Sequence, residues 1–469
     1  MTTHSSRQSL GHRLVPHTTL QGRTMFLALK TALRRSVRLA PVAALTVTIP
    51  VHAQGANEAK LRWDRLCQIR KEKFEYVLPE AMRENGIDMW LIPMKEGNYD
   101  PQWALLGGGY VGSIGYYVFT DRGDHIERAA LGIEDHFREA CGAYDIPDGD
   151  PDLLAFVRAR NPRKIALNMS DEIGRADGLT HTLFTYVTKT LGSEYAGRIV
   201  SAEKLVSDFS SRRVASEIVA FGDAGEYGRQ LLERALSNEV ISPGKTSLAD
   251  VAWWLQNQML AKGLGTSFEV PSVYITGPDG IEATSNDRVI QRGDVVMIDY
   301  GVGYLNMWTD QKRIAYILKE GETTAPRWLQ RAFDEALKIR SVIHRTIKPG
   351  KTAAQTLQLL EGEIAKAGFR KAASFNKVAS DSVTEFFIGC HSVGDWGHGL
   401  GPSIAFFNPT RLNFEIRPSN MFSIELFAWV PADAWGGRKV RIPLEDDAVV
   451  TNRGVEWVYP VNQRVLLVR

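Results

Sequence analysis

Cysteine is almost absent from this chain of 469 residues: Cys67, Cys141 and Cys390 are the whole set, widely separated and without a C-x-x-C pair. That excludes a disulfide framework and a cysteine-built zinc site. An excess of one charge is lacking too, and a net charge of +2 gives no reason to expect nucleic acid as a partner. No repeat recurs at solenoid spacing, and no histidine occurs between residues 182 and 343. Long apolar runs are missing except near the N-terminus. There Arg34, Arg35 and Arg38 precede an apolar stretch, Leu39 to Val51, and a small-residue cleavage site ending at Ala53. The stretch is too short and too broken by proline to span a bilayer. Residues 1–53 therefore read as an export signal, of Sec or, from "RRSVRL", twin-arginine type, with Met25 as an alternative start. The mature protein, from Gln54, is expected in the periplasm, with no membrane attachment once the signal is removed.

The length of the chain suggests two to four domains, and two regions follow the signal. Over 54–208, "RKEKFEYVLPEAMRENG" is amphipathic, stops at Gly86 and leads into the apolar strand "IDMWLIPM". "GYYVFTD" and "KIALNMS" read as further strands of an α/β unit that carries no His/Asp/Glu cluster. Over 209–469, helices are expected at 212–238, 247–263, 325–346 and 352–367. The strands "DVVMIDYG", "KRIAYIL", "MFSIELFAWV" and "DAVVT" lie between and after them. Their hairpin-like pairing makes the fold class α+β.

Acidic residues interrupt those strands. Asp299 ends one and Asp310 begins the next; Glu425 breaks an apolar run, and Glu445 sits in "VRIPLEDDAVVT". Aspartate is a poor strand residue, and burying a carboxylate is costly unless something compensates it. Each has a plain alternative: Asp299 could cap the turn at Gly301, Asp310 could pair with Lys312 or Arg313, and Glu445 could open a solvated loop. Glu425, flanked by apolar residues on both sides, resists such a reading most. Two histidines, His391 and His398, lie in the Gly-rich stretch "GCHSVGDWGHGLGPS". Four carboxylates with an imidazole would suit two divalent ions, Mn²⁺ first, with Co²⁺, Fe²⁺ or Zn²⁺ as alternatives.

The order Asp, Asp, His, Glu, Glu resembles the pita-bread (M24-type) metallopeptidases, which include methionine aminopeptidase, Xaa-Pro aminopeptidase and prolidase. "SNDRVIQRGDVVMIDYG" is similar to the segment entering the first aspartate in prolidase-like members. "NMFSIEL" and "RIPLEDDAVVT" look like the segments holding the fourth and fifth ligands. The two aspartates are 11 residues apart, the family's spacing. The resemblance covers about residues 212–460. It extends more loosely to "LPEAMRENGIDMWLI", which resembles the creatinase-type N-terminal domain.

The resemblance implies a pita-bread catalytic domain at 209–469 after a creatinase-like domain at 54–208. It implies Asp299, Asp310, His391, Glu425 and Glu445 as ligands of two ions. "GHGLG" imitates the family's usual histidine string and nominates His398 instead. A second family histidine, however, stands seven residues past the ligand, which fits His391 as ligand and His398 as a substrate contact. Glu425 would shuttle the proton for a bridging hydroxide, and Arg441 would organise the site or bind a substrate carboxylate. Cys390 reads as a small buried residue. The implied activity is removal of the N-terminal residue from Xaa-Pro peptides, with a homodimer as the habit of relatives. One departure stands out. The family's histidine upstream of the first aspartate is missing, with Glu282 or Thr284 as candidates to replace it. That leaves open non-peptidase chemistry on the same fold (amidinohydrolysis or metal-dependent C–S lysis), or a non-catalytic binding protein.

Overall fold

A computed structural model of the chain describes residues 52–278, 280–284, 287–374, 378–395, 398, 400–405 and 407–469. The export signal expected over residues 1–53 lies, up to residue 51, outside them. A helix, His52–Glu72, runs through one π turn into Leu78–Glu84 and stops at Gly86, whose φ of 65° only glycine adopts cheaply. The chain then enters the central strand of a six-stranded mixed sheet, Met89–Met94. Tyr110–Asp121, Ile126–Glu134 and Ile146–Gly149 extend the sheet on one side, Ile165–Leu167 and Ile199–Ser201 on the other. Met89–Met94 is buried on both faces, which explains why its sequence is a continuous apolar run rather than an alternation. The expected division after residue 208 falls inside a helix, Glu203–Ser211, and among the described residues no sheet crosses it.

One covalent link was not legible from the three scattered cysteines. Cys67, on the first helix, and Cys141 form a disulfide 74 residues apart in sequence. Replacing both with alanine is expected to lower the unfolding free energy by about 2–4 kcal/mol, because the unfolded chain regains a long loop. Urea midpoints of the two proteins check this; coincident midpoints would show that the bond contributes nothing.

Among the described residues after 211 there are four long helices, at Ala215–Ala235, Leu248–Ala261, Arg327–Thr346 and Ala353–Lys366. Two have reciprocal caps: Ser247 with Asp250, and Thr352 with Gln355, each satisfying the other's free N–H. The first pair covers a five-stranded sheet containing Val295–Tyr300 and Gln311–Ile317. The second pair packs Leu329, Phe333, Ile339 and Ile343 against two four-stranded sheets.

Those two sheets share a seam. In one, Glu385–Ile388, Leu426–Pro431 and Lys439–Leu444 lie side by side; in the other, His391–Ser392, Met421–Ser423 and Asp447–Thr451 do. The same three stretches of chain therefore pass from sheet to sheet at one level. The run "MFSIELFAWV" is thus two strands and not one: regular pairing stops after Ser423 and resumes at Leu426.

Buried charge ties the seam to its surroundings. Asp446 is sealed from solvent between Arg313 (2.8 Å) and Arg340 (3.1 Å), and it accepts the Asn462 N–H. On the far side, Lys73 donates to Glu217 at 3.3 Å, and Arg213 reaches Glu217 at 3.1 Å and Asp395 at 2.7 Å. All four side chains are buried. Gly394, at φ 107°, lets Arg213 in: a Cβ there would lie 2.6 Å from its guanidinium.

Candidate metal centre

The seam is where the acidic residues collect. Glu425 and Glu445 stand at the points where their stretches leave one sheet, and His391 begins the short strand where a third stretch enters the other. A residue at such a break is released from strict alternation, so a carboxylate inside an apolar run can face a site rather than the core. Gly389 opposite has no side chain, and a Cβ there would sit 2.3 Å from the Glu425 Oε2. The five-stranded sheet brings the rest. Asp299 pairs directly across from Lys312, and Lys312 forms a further backbone bridge to Glu445. Asp310 lies just before its strand, its N–H donating to Asp447 Oδ2 at 3.2 Å, which also accepts from the Tyr459 hydroxyl at 2.8 Å.

Asp310, His391 and Glu445 each offer a ligand atom within 4.8 Å of the others. The His391 Nδ1 lies 3.0 Å from the Ser392 carbonyl. Donation there leaves Nε2 to face Asp310 Oδ2 at 3.8 Å and Glu445 Oε1 at 3.4 Å. Ser423 donates to the same Glu445 oxygen at 2.6 Å. Among the described residues, Asp310 Oδ1 and Asp299 Oδ1 are both buried without a hydrogen-bond partner. An imidazole nitrogen with two carboxylates is a donor set that suits one divalent ion of the Mn²⁺ to Zn²⁺ group.

Lys312 enters the same centre. Its ammonium, buried, contacts Glu425 Oε1 at 2.7 Å, Asp299 Oδ2 at 3.1 Å and Glu445 Oε2. The lysine does form ion pairs, as one plain alternative for Asp310 supposed, but with these three carboxylates. Arg313, one residue on, faces the opposite way toward Asp446. Glu445 is fully buried and opens no solvated loop.

Crowding shifts the titration of these groups. Burial raises Asp310 far above its ordinary range, and neighbouring Glu445 and Asp299 push it the same way. Burial also lifts Glu425 to about 7, against the pull of Lys312. At Glu445, burial would do the same, but Lys312 and His391 outweigh it and hold the carboxyl low. His391 is buried, which disfavours its charge, yet its contact with Glu445 raises it overall.

His398 flanks the centre. Its ring is 5.0 Å from the His391 ring and 4.5 Å from Phe407, and part of it reaches solvent. Desolvation, then the neighbouring His391, lowers it to about 4. Arg441 is buried, its guanidinium 5.2 Å from the Phe427 ring and 5.8 Å from Trp429. Cys390 is wholly buried, and burial pushes its thiol well up. Glu282 and Thr284 are exposed, at and just beyond the edge strand Gly280–Ala283. Sequence reasoning missed Ser423, Asp447, Tyr459 and the placement of Lys312. Only the last had a signal: two residues past Asp310 is the same face of a strand.

The model of metallopeptidase family M24 matches residues 220–452. This part of the chain belongs to family M24. A curated relative, an uncharacterized peptidase of Staphylococcus epidermidis, is 22% identical over 318 residues, 65% of this chain and 78% of its own. Solved structures with the same fold include an X-Pro aminopeptidase from Thermotoga maritima (19% identity, TM-score 0.59, 83% of this chain and 99% of that one). An Xaa-Pro dipeptidase from Bacillus anthracis matches similarly (18%, TM-score 0.58, 86% and 99%). So does a prolidase from Pyrococcus horikoshii (18%, TM-score 0.55, 85% and 99%). These M24 structures match far beyond residues 220–452, so the α+β architecture, with its N-terminal unit, is theirs as well.

Separate alanine variants test which histidine holds metal. His391→Ala is expected to weaken Mn²⁺ binding by at least about 10²-fold, since loss of even a supporting residue has effects of that order. His398→Ala is expected to leave it near the wild-type value. Titration calorimetry reads both, and the reverse pattern would make His398 the ligand.

Proposed function

We propose that this chain is an exported, metal-dependent aminopeptidase that removes the N-terminal residue from Xaa-Pro peptides. The observation that carries the reading is the meeting of Asp310, His391 and Glu445 beside Glu425, at the sheet seam of an M24 fold. The three would hold a divalent ion, which when bound acidifies water and polarises a carbonyl. Glu425 is the proton carrier. Lys312 holds its Oε1, and its carboxyl titrates near neutrality, where one group can both accept and return a proton. His398, at the solvent edge, steadies the substrate, and Arg441 orders the wall behind Glu425. The substrate preference rests on the activities of the solved structures named above.

Export draws support from the Cys67–Cys141 bond, because disulfides persist in oxidising compartments. Residues 1–53 act as the signal in this reading, and 54–208 as a creatinase-like domain. Among the described residues no helix is long and apolar enough to cross a membrane.

The test is an Xaa-Pro peptide panel with protein from Gln54 onward, loaded with Mn²⁺, and Glu425→Ala as blank. Cleavage before proline, absent in the blank, is the expected result. Failure to cleave any peptide with metal verified as bound would sink the peptidase reading. Non-peptidase chemistry would then be favoured, consistent with the missing upstream histidine.

A further inference from the structure

The centre already contains a cation. An ammonium has three protons, and Lys312 Nζ directs them at three of the five expected ligands: Asp299 (3.1 Å), Glu425 (2.7 Å) and Glu445. This is not a long surface chain folded in by chance. The Lys312 main chain is paired to Asp299 on one side and bridged to Glu445 on the other, so the side chain starts from between two of its partners. It is buried, and the Phe427 ring lies 5.8 Å from its charge.

The two ends of the centre are therefore unlike. At the Asp299–Glu425 end, one oxygen of each carboxylate is already taken by the ammonium. At the Asp310–His391 end, Asp310 forms no ion pair with the ammonium among the described residues, and His391 Nε2 lies 3.8 Å from Asp310 Oδ2 and 3.4 Å from Glu445 Oε1. Asp299 Oδ1 and Asp310 Oδ1 are both buried without a hydrogen-bond partner among the described residues. Glu445 joins the ends, giving Oε2 to the lysine and lying with Oε1 against the histidine. Four carboxylates would balance two divalent ions in charge; with a lysine already among them, a second ion would sit against an ammonium of like sign.

We propose that the Lys312 ammonium takes the place of the second ion, so that this chain binds one divalent ion, on Asp310, His391 and Glu445. The expected pair of ions is thereby replaced by one ion and one fixed organic charge. The inference rests on the reading of these residues as a metal centre, but it does not depend on which substrate is cleaved.

The experiment counts ions. Protein from Gln54 onward is saturated with Mn²⁺, desalted, and assayed for metal per chain by mass spectrometry, beside Lys312→Thr, a strand-favouring residue that vacates the ammonium's volume. One ion in the wild type and two in the variant is the expected result. Two in the wild type would overturn the proposal. So would one in both proteins, which would clear the lysine of responsibility, or none in the wild type. Should the variant not fold, anomalous scattering from Mn²⁺-loaded wild-type crystals decides alone. One peak at His391, with Lys312 still against Asp299 and Glu425, supports the proposal; two peaks, or a lysine swung away, refutes it. Peptide cleavage by a two-ion protein would sink this inference and spare the peptidase reading. A one-ion protein without peptidase activity would do the reverse.

Discussion

Replacing Glu445 with alanine is expected to abolish metal retention and to lower kcat/KM on a peptide substrate by about 10³-fold or more. The side chain is wholly buried and serves three neighbours at once. Ser423 donates to one oxygen at 2.6 Å, His391 lies 3.4 Å from the same oxygen, and Lys312 holds the other. Its loss removes a ligand and strips the imidazole and the ammonium of their shared anion. The folded state itself should suffer less. In the metal-free protein four carboxylates crowd one lysine, and deleting one of them relieves repulsion as well as removing attraction. Glu445→Gln keeps the volume and a carbonyl acceptor for Ser423, and it is expected to fold normally while still losing metal. Metal content after dialysis, read beside initial rates, checks both variants. An alanine variant that kept its ion and worked to within about tenfold of the wild type would remove Glu445 from the centre.

Asp446, the next residue, should show the opposite balance. Asp446→Ala is expected to reduce unfolding free energy by about 3–5 kcal/mol, the usual cost of leaving buried charge unpaired. Arg313 and Arg340 both point at this carboxylate, at 2.8 and 3.1 Å, and each is almost without solvent contact. Burial raises the Asp446 carboxyl even against two guanidinium groups, so the cluster is poorly compensated as it stands. Its value lies in the penalty for breaking it rather than in a gain over apolar packing. Asp446→Asn, which retains an acceptor for the Asn462 N–H, should lose less. Urea denaturation of the three proteins provides the measurement, and an alanine variant within about 1 kcal/mol of wild type would contradict the argument.

Much of this was legible in the residues. The helices at 215–235, 248–261, 327–346 and 353–366 follow from apolar periodicity and, in two cases, from capping pairs. Acidic residues inside strands drew attention to Asp299, Asp310, Glu425 and Glu445, which the fold does bring together. The seam was hidden, because a change of sheet within "MFSIELFAWV" depends on what the neighbouring strands do, and no single strand records it. The face of Lys312 was signalled by its spacing from Asp310, but its partners were hidden for a related reason. Its side chain meets Asp299 only through the register between two strands, and register is a property of the pair. The disulfide was hidden because three cysteines allow three pairings and sequence separation does not choose among them.

The buried chain of charge from Lys73 through Glu217 and Arg213 to Asp395 bears on how the protein can be divided. A fragment cut at residues 220–452 would begin inside the helix Ala215–Ala235 and would lack Lys73, Arg213 and Glu217. Asp395 is four residues past His391, and Arg213 also reaches the Val393 carbonyl at 3.4 Å, so both of these contacts to that segment would go with the discarded piece. The apolar cluster that holds Phe209 and Phe221 also includes Val393, Leu400 and Met421, and it would be cut open as well. The segment that carries the family likeness is therefore not a module. Recombinant pieces, chimaeras and domain swaps should keep everything from Gln54 onward, because Arg213, which precedes the matched segment, holds Val393 and Asp395 just past His391.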